Sequence, residues 1–219
     1  MENTSKSRLD PIDLRDAGQF SELQRQRVLC GWDFDSETLK KWEKKQEARL
    51  KNLFWIITTR TTTDPDKQDN KPIRAGHISL DDAGTSFNPP EVQSLPRVEE
   101  KCVLSVSTFF ILPEHRSSGL GRWVMQRIEE LAVQEPYGSP SCRFIALNAL
   151  SKKHVYDEGW EWKGIWERMG KAPPSFSIQE WYEMLGYVSW KEEPLYEEKA
   201  LNGDVIHLWE AFMRKEISK

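Results

Sequence analysis

The apolar run VLSVSTFFILP, residues 103–113, passes almost directly into HRSSGLGRWVM, residues 115–125, and this junction limits the fold more than any other stretch. CVLSVSTFFIL at 102–112 reads as a strand, with Cys102, Leu104, Val106, Thr108 and Phe110 on one side and Val103, Ser105, Ser107, Phe109 and Ile111 on the other. Leu120, Val124, Ile128 and Leu131 then recur at helical spacing, and RFIALNA at 143–149 is strand-like again. The order strand, glycine loop, helix, strand resembles a βαβ unit. Two readings of the loop stand side by side. It is a tight turn that uses the positive φ open to Gly119 and Gly121, or it is an anion cradle. In the second, N–H groups at the helix start, the helix dipole, Arg116 and the hydroxyls of Ser117 and Ser118 converge on a phosphate.

The remaining chain supplies the other layers. Helices are expected over 19–29 and 36–52, strands over 53–60 and 73–80 as a hairpin around a polar loop, and a proline-bearing loop over 81–100. After residue 150 the pattern breaks into a Trp-rich insertion to about 177, with a helix near 154–169. A short helix over 177–187 ends at Gly186, and strands follow near 187–191 and 205–213. With 219 residues, 38% hydrophobic and ten Trp, the chain predicts one globular domain over 1–219, with a cofactor-binding core at about 101–150 and closing elements at 178–215. A net charge of −4 gives no basis for nucleic acid as a partner. Three unpaired-looking cysteines argue against a disulfide framework or a zinc site, so no metal is expected. No apolar run reaches membrane-spanning length and MENTSKSRLD has no signal-peptide core, which together predict an intracellular, cytoplasmic chain.

Two nucleotide-binding motifs fail at this loop. A Walker loop needs Gly-Lys-Ser/Thr, but Arg122 and Trp123 follow Gly121, and a dinucleotide fingerprint needs a third glycine where Val124 stands. FILPEHRSSGLGRWVM instead resembles the acetyl-CoA motif of the GNAT superfamily of N-acetyltransferases, Gln/Arg-x-x-Gly-x-Gly/Ala, here Arg116, Gly119 and Gly121. Ala146–Ala149 matches the family's Asn-containing strand, Trp181, Tyr182, Gly186 and Tyr187 its Tyr helix, and Met213–Lys215 its closing Met-x-Lys. The resemblance implies an α/β fold with a mixed, mostly antiparallel sheet, helices on both faces and splayed central strands. It also implies acetyl-CoA as acyl donor. Backbone groups of Phe109, Phe110 and Ile111 would meet the pantetheine and the oxyanion, the N–H groups of Arg116, Ser117, Ser118, Gly119, Leu120 and Gly121 the pyrophosphate, Asn148 the pantetheine, and Tyr182 would protonate the leaving thiolate. The insertion departs from the family, which usually joins these elements quickly.

What the resemblance implies for function is acetyl transfer to a primary amine, of a small molecule in the first reading and of a protein or peptide in the second. A third reading is a CoA-binding module without chemistry. The general base is not legible: where family members often place a carboxylate or His on the central strand, this chain has Ser105 and Ser107. A relayed water, His77, His115, His154, Asp157, Glu158 and Glu100 stand as unranked alternatives. Trp160, Trp162 and Trp166 border the acceptor in one reading and form core in the other.

Overall fold

In a computed structural model, residues 7–59, 71–84, 87–93 and 100–217 are described. The polar loop expected between the first hairpin strands, and Pro96 of the next loop, lie outside them. The chain divides into two compact units, Met1–Gly84 with Glu99–Arg143, and Thr85–Val98 with Phe144–Lys219. Each is α/β, and the strands are mostly antiparallel.

The first unit begins with β1 (Arg8–Pro11), a strand the sequence pattern hides because only four residues pair. Helix α1 (Ala17–Cys30) starts where the Asp16 side chain accepts the N–H of Gln19, and α2 (Ser36–Glu47) where Asp35 accepts that of Thr38. Helix α2 stops five residues before the expected end. Arg49 takes φ +57, which ends the helix, and Lys51 and Asn52 belong to β2 (Lys51–Thr59). Strand β2 pairs with β1 and with β3 (Pro72–Asp82). Leu23 of α1 and Leu39 and Trp42 of α2 bury against Leu53, Trp55 and Ile57, the alternate residues of β2. On the opposite face Phe54 meets Tyr137 edge to face at 4.8 Å, after α4 (Leu120–Ala132). The sheet is therefore covered on both sides, each buried Leu, Ile or Phe contributing roughly 1.5–3 kcal/mol.

The central strand is two pieces rather than one. β4 (Val103–Ser105) and β5 (Phe110–Ile111) both pair with β3, and residues 106–109 leave the ladder. Ser105 stands opposite Asp81 and Phe110 opposite His77, so five steps on one strand face four on the other. One extra residue is a β-bulge, and it reverses the alternation beyond it. Phe110, expected on the side of Cys102 and Leu104, instead joins the Ser105 side and lies against His77, with ring centroids 5.7 Å apart. Gly76 makes the pairing possible, because a Cβ there would come within 2.1 Å of the Phe110 carbonyl oxygen.

In the second unit α3 (Pro90–Gln93) precedes an antiparallel sheet in the order β6 (Phe144–Leu150), β8 (Val205–Glu216), β7 (Val188–Lys199). Strand β7 runs twelve residues, well past the expected Lys191: its KEEPLYEE half is polar and mostly exposed, which hides it from the residue pattern, yet it pairs with β8 except at a register shift that skips Leu195. The expected insertion helix is two single turns, α5 (Lys153–Tyr156) and α6 (Ile165–Arg168). Ile165 and Met169 bury against Ile206 and Leu208, with Trp162 and Trp166 packed alongside. Ser177 caps α7 (Ile178–Glu183), and Gly186 takes the expected positive φ, +90, just beyond it.

Candidate functional site

The glycine loop is exposed and built around its own backbone. A single 3-10 turn, Pro113–His115, leads into Arg116, whose Nε donates to the Ile111 carbonyl at 2.8 Å and whose guanidinium lies over the Phe110 ring at 5.4 Å. The loop is thereby fastened to the strand piece beyond the bulge. Ser117 takes φ +63 and Gly119 φ +79. Gly119 is the N-cap of α4 and offers no side chain, so the helix begins without a side-chain hydrogen bond to its first N–H groups. The first N–H groups of α4 are thus left for a group outside the helix, at the end where the helix dipole is positive. Ser118 Oγ donates to the His115 carbonyl, which stiffens the loop and commits that hydroxyl. Leu120 is buried beneath, anchoring the first turn.

The first unit also holds a buried polar cluster. Lys51 Nζ reaches Asp81 Oδ2 at 2.6 Å and donates to Ser107 Oγ at 2.8 Å and Ser79 Oγ at 3.2 Å. The exposed Ser107 hydroxyl donates to the same Asp81 oxygen. Burial pulls the Lys51 ammonium below its ordinary pKa, opposed by the Asp81 charge. His77, fully buried, has Nδ1 2.9 Å from the Gln26 amide oxygen, and burial depresses it to about 3.

Asn148 and Tyr182 lie in the second unit. Asn148 Nδ2 donates to Glu210 Oε2 at 3.2 Å across the β6–β8 ladder. Tyr182 packs edge-on between Trp181, at 4.9 Å, and Tyr187, at 5.6 Å, and burial raises its phenol. Tyr187 lies under Lys215, which faces the opposite way along β8 from Phe212 and Glu210. His154 accepts the Trp209 N–H at Nε2, so its basic lone pair is occupied, and burial lowers it to about 4. Asp157 accepts the N–H of Gly159 in a local turn, and Glu158 is exposed near Lys163. Neither carboxylate is drawn into a cluster with the motif residues.

Glu210 is the group the sequence reading missed. It is 7% exposed, and burial raises its carboxyl to about 7 while the Asn148 amide pulls the other way. The signal was present in VIHLWEAFM, where one Glu interrupts an apolar strand. No group of three or more metal-ligating side chains occurs among the described residues, nor is any helix there long and apolar enough to cross a membrane.

No protein-family model and no curated protein matches the chain. Solved structures do. NAA60 of Arabidopsis thaliana, solved with acetyl-CoA, is 12% identical over 96% of this chain and 98% of that one, with a TM-score of 0.59. A spermidine N-acetyltransferase chimera of Vibrio cholerae SpeG and hSSAT is 14% identical over 96% and 95%, at 0.54. An aminoglycoside 6'-N-acetyltransferase solved with coenzyme A is 12% identical over 97% and 98%, at 0.52. The fold of this chain is the GNAT fold.

Proposed function

We propose that the chain is an acyl-CoA-dependent N-acetyltransferase that moves the acetyl group of acetyl-CoA to a primary amine of a small molecule by direct transfer. One observation carries the reading: a one-residue bulge at 106–109 is followed, through the tethered Arg116, by a helix N-terminus led by Gly119 with no side-chain cap. The bulge takes backbone out of the ladder, and the uncapped helix offers donors to a pyrophosphate. Both features suit acetyl-CoA, which supplies the thioester. In this reading Arg116–Gly121 hold the pyrophosphate and the backbone of Phe109–Ile111 aligns the pantetheine and polarises the carbonyl. Asn148 bonds the pantetheine, and the Tyr182 hydroxyl, kept protonated by burial, delivers a proton to the leaving sulfur.

Gly119→Asp tests the pyrophosphate seat through its charge, with Gly119→Ala as the control: a Cβ there meets nothing within 4 Å, but φ +79 strains any L side chain, and both variants carry that strain while only Asp adds a negative charge. Calorimetry should show acetyl-CoA affinity falling at least about tenfold with the fold intact. Unchanged affinity in a folded variant removes the assignment. A screen that follows thiol release with small amines, with peptides and with no acceptor then separates the readings. Release with small amines supports the proposal, release with peptides alone moves the acceptor to proteins, and binding without release leaves a CoA-binding module.

A further inference from the structure

Direct transfer requires a neutral amine, whereas a primary amine is an ammonium ion near neutral pH, so some group must take its proton. The candidates thin out on geometry. His154 spends its lone pair on a backbone N–H, His77 is fully buried against Gln26, and Asp81 is held in an ion pair with Lys51.

Glu210 differs from all of them. The β6–β8 register sets it opposite Leu150, on the sheet face shared by Asn148, Phe212 and Leu208. Phe87 and Trp190 pack against Phe212 on one side, and Leu208 joins Ile165 and Met169 of the insertion on the other. A carboxylate in such surroundings is expensive unless a counter-charge accompanies it. Here the neighbouring charges are already engaged. Glu193, opposite Glu210 on β7, pairs with Lys191, Lys153 pairs with Glu192, Arg214 on β8 pairs with Glu91, and His154 bonds the Trp209 backbone. Among the described residues Glu210 has one hydrogen bond, from Asn148, and no ion pair. Burial accordingly places its carboxyl near 7, where a base can accept a proton and release it again.

We propose that Glu210, oriented by Asn148, is the general base that deprotonates the acceptor ammonium. The assignment rests on the N-acetyltransferase reading above. One ammonium proton passes to the Glu210 carboxylate and from there to solvent. The freed nitrogen lone pair forms the C–N bond as the C–S bond breaks, and the sulfur takes the Tyr182 proton. The second proton, lost from nitrogen, restores the Tyr182 hydroxyl.

The test uses the full chain with acetyl-CoA and an amine from the screen. Glu210→Gln should keep acetyl-CoA affinity, lose about 10²–10⁴ in kcat, and lose the acid limb of the kcat/KM profile that the wild type shows near pH 7. Glu210→Asp retains a carboxylate and should recover part of the rate together with that limb. Asn148→Ala removes the donor that favours the ionised form, so the limb should move to higher pH. A Glu210→Gln enzyme that binds acetyl-CoA and keeps both the rate and the limb overturns the assignment and leaves the acetyltransferase reading standing. A wild-type chain that neither binds acetyl-CoA nor releases thiol overturns both.

Discussion

Two carboxyl groups are buried to nearly the same degree, Asp81 at 9% exposure in the first unit and Glu210 at 7% in the second, and they are treated oppositely. Asp81 receives an ammonium and a serine hydroxyl, and its ammonium partner lies over the Trp42 ring at 4.7 Å. Glu210 receives one amide. The first arrangement compensates the charge inside the protein and ties β2, β3 and the bulged segment together. The second leaves the charge uncompensated, so the fold loses stability as the pH rises through about 7 and the group ionises. Buried carboxyls of equal exposure are thus not equivalent, and the partners each receives separate one whose charge is balanced from one whose charge is not.

The largest effect should come from breaking the compensated pair. Lys51→Met keeps the length of the side chain but removes the ammonium that lies over Trp42 and leaves Asp81 buried without its cation, a change that costs about 3–5 kcal/mol in other buried pairs. Urea unfolding should show most of that loss, and adding Asp81→Asn should return much of it, since the double variant buries no charge. A single Lys51→Met variant as stable as wild type would mean that Asp81 is as uncompensated as Glu210, and the contrast would fail.

A smaller effect of opposite sign is expected at Glu210. Its carboxyl is raised in the folded chain to about 7 from an ordinary 4.5, so between those values the native state holds the proton more tightly than the unfolded one. The group therefore costs nothing below about pH 4.5, and its full cost is present above pH 7. Glu210→Gln should match wild type in stability at pH 4 and exceed it at pH 8 by something on the order of 3 kcal/mol. Parallel urea curves at the two pH values measure it. A variant less stable at pH 8 would show that the ionised carboxylate has a partner.

How much of this was legible follows from where each signal lives. The glycine loop, the amphipathic α4 and the Gly186 turn are local patterns, read from neighbours in sequence. The expected end of α2 overran because Ala48, Arg49, Leu50 and Lys51 are all good helix formers, and the left-handed Arg49 stops the helix. The bulge was invisible in the residue alternation because it depends on which β3 residue each partner meets. The Lys51–Asp81 pair spans 30 positions and Asn148–Glu210 spans 62, so neither has a spacing to read. The sequence offered Asn148 from a motif and Glu210 as an oddity in an apolar run. Strand register is what joins them.

The smallest expected effect is the one that most directly sets Asp81 against Glu210 as a base. Ser107 is exposed, stands on the bulged segment, and contacts both Asp81 and Lys51, so a proton relay from an acceptor through its hydroxyl to Asp81 is the rival arrangement. Removing the hydroxyl by Ser107→Ala deletes that relay without creating a buried charge. Water can replace the lost hydrogen bond at an exposed position, so the stability loss should be about 1 kcal/mol or less. If Glu210 is the base, kcat should stay within about twofold of wild type and the acid limb near pH 7 should not move, because nothing about Glu210 or Asn148 has changed. If Asp81 is the base, the same variant should lose at least about 10² in kcat, with acetyl-CoA affinity unchanged, since the interaction would exist only while the proton moves. The two outcomes differ by a factor that a single rate measurement resolves, and the second would transfer the chemistry from the uncompensated carboxyl to the paired one.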